Sequence, residues 1–195
     1  MRALLFDLDN TLIDRDDALK QALLQELGST NAVRKLMQLD AGGYGSREDF
    51  LKSWSAMSRS VRTMQHLGAA ISDNLQPDVQ LLTALEAISE RVLLGIISNG
   101  GVENQLGKIQ SAGLAKVISK KNVWISGGLS FAKPDREIFQ LACKGLSVCE
   151  SEALFVGDHP VIDIQGALNA GLHAQQVTQV VDAEFIDGLA ERIYA

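Results

Sequence analysis

The feature that most constrains this chain is a set of short, unbroken apolar runs, each ending in an acidic or small polar residue. Ala3–Leu8, Val92–Ser98 and Ala153–Gly157 are the clearest, and Val123–Ser126 is a weaker one. Their apolar residues are continuous rather than alternating, which suits strands buried on both faces of a parallel sheet. A fifth strand, His173–Val177, follows from its position alone. Helical patterns lie between the runs. Gly101–Ala112 sets Val102, Leu106 and Ile109 on one face and stops at Gly113. Pro134–Gly145 opens with proline at a first-turn position, where its missing N–H costs nothing. Ile162–Ala170 is stopped by Gly171, and Asp182–Tyr194 is the last pattern. Alternating strand and helix predict an α/β fold with a doubly wound parallel sheet.

One interval breaks the alternation. From Asp14 to Leu75 the patterns are helical throughout. Asp16–Leu27 repeats Leu19, Leu23, Leu24 and Leu27 on one face, and Thr30 is placed to cap a second helix through Leu39. Ser46 and Asp49 have the spacing of a capping box for Arg47–Met57. A fourth helix runs through Ile71, and Phe50, Trp54 and Met57 share a helical face expected to be core. The expected organisation is a core domain over residues 1–13 and 77–195, with a small helical domain inserted over 14–76.

With 195 residues the chain can bury a sizeable core. Its net charge of −6 disfavours nucleic acid or an anionic membrane surface as a partner. Cys143 and Cys149 follow no metal or redox spacing and are expected to be reduced thiols. The apolar run after Arg2 is too short for a secretory core, and no stretch approaches a membrane span, so a cytoplasmic location is expected.

In open α/β sheets, ligands bind beyond the carboxyl ends of the strands. Those ends carry Asp7, Asp9 and Thr11 after the first strand, Ser98-Asn99-Gly100 after the second, and Gly157-Asp158 with Asp163 after the fourth; Lys133 precedes the Pro134 helix. Taken singly, each is an ordinary turn or helix start. Together they put four carboxylates, one lysine and a small polar turn on one edge. Clustered carboxylates suit a hard divalent cation such as Mg²⁺, which prefers oxygen ligands. Ser98 offers a hydroxyl, the Asn99 and Gly100 N–H groups open a helix suited to an anion, and Lys133 is a compact cation for a phosphate oxygen. The set describes a phosphoryl site with a carboxylate left to attack.

In these stretches the sequence resembles the haloacid dehalogenase (HAD) superfamily, in the branch with a helical cap inserted after strand one. Phe6-Asp7-Leu8-Asp9-Asn10-Thr11-Leu12 resembles its first motif, Ile97-Ser98-Asn99-Gly100 its second, Lys133-Pro134-Asp135 its third, and Val156-Gly157-Asp158 through Asp163 its fourth. The resemblance implies a Rossmann-like core, Mg²⁺, and the following roles. Asp7 would be the nucleophile and a metal ligand. Asp9 would contact the metal through its backbone carbonyl, while its side chain protonates the leaving alkoxide and later activates water. Thr11 would support that loop. Ser98, Asn99, Gly100 and Lys133 would bind phosphate, with Lys133 also serving catalysis. Asp158 would be the second carboxylate on the metal, and Asp163 would act in its outer shell or orient Lys133. A departing halide needs no proton, so Asp9 favours phosphate esters over dehalogenation. His159 adjoins Asp158, but Mg²⁺ prefers oxygen, so a loop or packing role is expected.

The leading expectation is a phosphatase of a small soluble phosphorylated metabolite. A phosphomutase uses the same residues, and a non-catalytic phosphate- or partner-binding protein on this fold is a third class, whose signature would be loss of Asp7 or Asp9. The motifs do not name a substrate. The turn Ala41-Gly42-Gly43-Tyr44-Gly45 combines glycines with an aromatic side chain, which makes Tyr44 the candidate specificity residue.

Overall fold

In the computed structural model, which describes residues 1–194, five strands form one parallel sheet. They are β1 (Ala3–Phe6), β2 (Leu93–Ser98), β3 (Val123–Ile125), β4 (Ala153–Gly157) and β5 (His173–Gln176), in the order β3-β2-β1-β4-β5. Phe6 lies opposite Ile96 of β2 and Val156 of β4. The carboxyl ends of the three middle strands are therefore nearly level, which brings Asp7, Ser98 and Asp158 to one edge. Every residue of β1 is buried, as its unbroken apolar run requires. β1 is shorter than the run Ala3–Leu8, because the chain turns away after Asp7, whose N–H still donates to the Val156 carbonyl at 2.9 Å. β5 is a half-exposed edge strand of His, Ala and Gln, which explains its faint sequence signal.

The chain divides into two compact units. One comprises Asp14–Leu75 and holds α1 (Arg15–Leu27), α2 (Thr30–Asp40), α3 (Arg47–Ser58) and α4 (Met64–Ser72). Its core is built on Leu19, Leu23, Leu36, Phe50, Trp54 and Ile71. The Phe50 and Trp54 rings sit 5.8 Å apart, so this aromatic pair is packing. Ser29, not Thr30, caps α2: it is extended, and its hydroxyl accepts from the Ala32 N–H. Ser46 caps α3 by accepting from the Asp49 N–H at 3.2 Å, while a reciprocal capping box forms at Thr63 and His66 before α4.

The other unit, Met1–Ile13 and the chain from Gln76 onward, adds α5 (Val79–Ser89), α6 (Val102–Ser111), α7 (Arg136–Leu146), α8 (Gly166–Ala170) and α9 (Ala183–Tyr194) to the sheet. α7 lays Ile138, Phe139 and Ala142 among Ala3, Leu5, Ile97 and Phe155. Phe139 meets Phe155 edge-on with ring centres 5.1 Å apart. Burying one such ring contributes roughly 1.5–3 kcal/mol. α5 packs on α9.

Three helices differ from expectation. α7 starts at Arg136, and Pro134 lies before it in a cis Lys133–Pro134 peptide. The stretch read as Ile162–Ala170 begins as a wide π-helical turn, Pro160–Gln165, before α8. α6 buries Gln105, Lys108 and Ile109, while Val102 is exposed. Its apolar period found Ile109 but missed Gln105 and Lys108, because polar partners receive them. No helix among the described residues is long and apolar enough to cross a membrane.

Candidate active site

β1 delivers Asp7, which is buried at 5% exposure, to the carboxyl edge of the sheet. A tight turn follows. The Leu8 carbonyl accepts from the N–H groups of Leu12 and Ile13, and Asn10 adopts a left-handed conformation (φ 58°), which asparagine tolerates better than most residues. Thr11 is fully buried in this turn. Its carbonyl accepts from the Val181 N–H at 2.9 Å, and its hydroxyl has no partner among the described residues.

After β2, Ser98 is buried, and the Asn99 side chain clasps the Lys133 backbone, donating to its carbonyl at 2.8 Å and accepting from its N–H at 2.9 Å. Gly100 takes φ 137°, open to glycine, and its N–H donates to Ser126 Oγ at 3.0 Å. This N–H, expected to face an anion, is thus already engaged. After β4, Gly157 is required by a close approach: a Cβ there would lie 2.6 Å from the Asp163 carboxylate. The π-helical turn brings Asp163 back under the strand end, where Asp163 Oδ2 accepts from the His159 N–H at 3.0 Å. His159 Nδ1 accepts from the N–H groups of Val161 and Ile162, so this histidine caps a turn, in line with the expected loop role.

Lys133 Nζ joins the parts. It donates to Asp7 Oδ1 at 2.5 Å and to Asp163 Oδ1 at 2.7 Å, and sits 5.2 Å from the centre of the Phe155 ring. Burial opposes its charge, yet Asp7 and Asp163 more than offset this and raise its proton affinity. The carboxylates are less well served. Burial, with help from Asp163 and Asp9, pushes Asp7 up to about 7 despite Lys133. Burial and the Asp163 charge push Asp158 up to about 6. Asp158 Oδ1 is buried with no partner among the described residues. Oxygens of Asp7, Asp158 and Asp163 all lie within 4.8 Å of one another, a donor set suited to a hard cation. An unpartnered buried oxygen and two carboxylates reluctant to ionise are what such a group shows when it is short of positive charge.

The structure therefore gathers Asp7, Asp158, Asp163 and Lys133, with Ser98 and Asn99 alongside. The Asp9 carboxylate is held from α6: Lys108 Nζ donates to its Oδ1 at 2.7 Å and Oδ2 at 2.8 Å, and Gln105 Nε2 donates to Oδ2 at 2.9 Å. Sequence reasoning missed Gln105 and Lys108. Their only signal was a pair of polar residues three apart in the first two turns of the helix that follows Ser98-Asn99-Gly100.

Tyr44 belongs to the helical unit, where it is 50% exposed beside the turn Ala41–Gly43. The glycines there do not make a slack loop. Gly43 N–H donates to Asp40 Oδ2 and Gly45 N–H to the Asp40 carbonyl, both at 2.9 Å, and a Cβ on Gly45 would fall 1.9 Å from the Leu39 carbonyl oxygen.

A profile of the haloacid dehalogenase-like hydrolases matches residues 4–177. The chain belongs to this family. Among curated relatives, this HAD-like hydrolase is 37% identical over 100 residues to a phosphoserine phosphatase of Thermus thermophilus, covering 51% of this chain and 39% of the relative. The chain thus spans about two fifths of that protein. It is 28% identical over 212 residues to the N-acylneuraminate-9-phosphatase of Rattus norvegicus, covering 89% and 81% of the two chains. Its fold is similar to that of YfnB from Bacillus subtilis, described as a HAD-hydrolase bound to magnesium, with a TM-score of 0.77 at 18% identity over 100% of this chain and 99% of the other.

Proposed function

We propose that this HAD-like hydrolase is a Mg²⁺-dependent phosphatase that releases phosphate from a small phosphorylated metabolite through an aspartyl-phosphate on Asp7. The observation that carries the reading is the buried Asp7 carboxylate, one oxygen on Lys133, clustered with Asp158, one oxygen of which has no partner among the described residues. Curated relatives named as phosphatases support it, over the phosphomutase alternative. The helical unit inserted after β1 is read as a cap that excludes bulk water and limits substrate size. A cytoplasmic setting belongs to the same reading.

In this mechanism the free oxygen of Asp7 attacks phosphorus as the bond to the ester oxygen breaks. Asp9 gives its proton to the departing alkoxide, so the alcohol leaves neutral. Asp9, now a carboxylate, takes a proton from water as the water oxygen attacks the phosphorus of the acyl phosphate. The bond to Asp7 breaks, its carboxylate is restored and inorganic phosphate departs. Ser98, the Asn99 N–H and Lys133 bind the phosphoryl oxygens, and Asp163 keeps Lys133 aimed at Asp7. Asp7 and Asp158, with the Asp9 carbonyl, would hold Mg²⁺, which when bound supplies the positive charge that keeps Asp7 ionised and offsets phosphate charge.

The test is phosphate release from p-nitrophenyl phosphate and a panel of phosphorylated metabolites. Turnover should vanish with chelator and return with Mg²⁺, while Ca²⁺ supports little, its larger and looser shell misplacing the nucleophile. Full turnover in excess chelator, or none on any ester with Mg²⁺, would overturn the proposal.

A further inference from the structure

α6 buries two polar side chains one turn apart, Gln105 at 2% exposure and Lys108 at 4%. A buried ammonium is costly unless it is paired. Here it is paired with Asp9, contacting both carboxylate oxygens within 2.8 Å. Gln105 Nε2 lies 2.9 Å from Asp9 Oδ2, 2.5 Å from Ser98 Oγ and 3.2 Å from the Asn99 carbonyl oxygen. One amide thus touches both the carboxylate assigned to proton transfer and the turn assigned to phosphate.

We propose that Lys108 and Gln105 are positioning residues that fix the Asp9 side chain beside the Ser98–Asn99 turn, so that α6 sets the proton shuttle and the phosphate cradle as one rigid piece. This rests on the phosphatase reading. The backbone on either side of Asp9 is fixed by the turn through Asn10, which leaves the side-chain torsions as its freedom. Contacts to both carboxylate oxygens remove that freedom. The demand is strict because the same carboxylate serves the leaving oxygen and then the attacking water at one phosphorus, and a displacement of about 1 Å can cost on the order of a hundredfold.

The experiment measures kcat and KM for the full chain with Mg²⁺ on esters whose leaving groups run from p-nitrophenol to simple alcohols. Lys108→Met should lower kcat on alkyl esters roughly 10- to 100-fold, with KM held within about twofold and p-nitrophenyl phosphate much less affected. Gln105→Leu should act in the same direction and more weakly, and Lys108→Arg should restore part of the loss. In an Asp9→Asn background, Lys108→Met should add almost nothing, since the group it positions no longer carries the proton. Equal losses across the leaving-group series, or the same loss with and without Asp9, would overturn the positioning role. If Lys108→Met does not fold, Lys108→Arg and Gln105→Leu decide by the same criteria. A wild type inert on every ester brings down the phosphatase reading and this inference with it; an active wild type with flat variants brings down this inference alone.

Discussion

Both units bury charge, and they do so differently. In the helical unit Asp40 is fully buried and fully answered. Arg15 donates to both of its oxygens at 2.5 and 2.8 Å, Arg47 donates to Oδ1 at 2.7 Å, and the Gly43 N–H completes the set. Burial alone would raise its proton affinity, but the Arg15 and Arg47 guanidiniums overcome this and hold it below the ordinary carboxylate range. In the α/β unit, Asp7, Asp158 and Asp163 share one buried cation, Lys133, and Asp7 and Asp158 are pushed upward instead. A satisfied buried charge marks architecture. A buried surplus of one sign is costly to the fold and persists where something arriving later balances it.

The largest expected contrast comes from removing the surplus. Asp7→Asn keeps the shape and deletes the charge proposed to attack, so turnover should fall by about 10⁴-fold or more. Stability of the metal-free protein should hold or rise, because an under-compensated carboxylate has gone while Asp163 still answers Lys133. Phosphate release and thermal unfolding on the same sample check both halves. A folded variant with normal turnover would remove Asp7 from the chemistry, and a large loss of stability would mean that its charge is structural after all.

The mirror experiment is Asp40→Asn. It takes the shared carboxylate from two guanidiniums and leaves the buried Arg15 with the part-exposed Asp16, at 2.7 Å, as a counter-charge; removing one partner of a buried ion pair typically costs about 3–5 kcal/mol, or a fall in Tm of about 10 °C at this chain length. The pH dependences should also oppose each other. Asp40 has a lowered native proton affinity, so its contribution is present above its unfolded value of 3.8 and is lost as pH falls through the native one. The gap between wild type and Asp40→Asn should therefore close in acid. Asp7 is raised from 3.8 to about 7, so the native state holds a proton that the unfolded state has already released. Relative to Asp7→Asn, metal-free wild type should lose stability as pH climbs through that window. Thermal melts at a series of pH values, with chelator present, read both slopes; slopes of the same sign would erase the distinction drawn between the two clusters.

The sequence was most legible where burial is apolar and least where it is polar. Unbroken runs such as Ala3–Phe6 and Leu94–Ile97 can be little else than central parallel strands, and parallel topology then fixes which ends meet. Asp7, Ser98, Asp158 and Lys133 could be grouped on that ground alone. In α6 the apolar period found Ile109 but could not find Gln105 and Lys108, whose burial depends on Asp9 as a partner. Arg15 and Asp40, 25 positions apart, carry no pattern that links them, since ion pairing across helices leaves no period in the sequence. The glycines around Tyr44 suggested pliancy, but at Gly45 the missing side chain makes room for the Leu39 carbonyl.

That last correction changes what Tyr44 can be asked to do. A half-exposed ring on a loose loop would pay an ordering cost in backbone as well as side chain on each binding event, whereas the backbone beside Tyr44 is already pinned by Asp40. If Tyr44 helps select the substrate, Tyr44→Ala should raise KM for the best metabolite by about 3- to 10-fold, leave kcat nearly unchanged and spare p-nitrophenyl phosphate, the signature of lost uniform binding. Its half-exposure predicts a stability change of about 0.5 kcal/mol or less, well below that of Asp40→Asn. Asp40→Asn should then also raise KM for the same metabolite, because it loosens the backbone turn that carries Tyr44. A variant pair in which Asp40→Asn alters stability alone, while Tyr44→Ala lowers turnover on every ester alike, would assign the tyrosine to packing and move the search for selectivity to other residues of the helical unit.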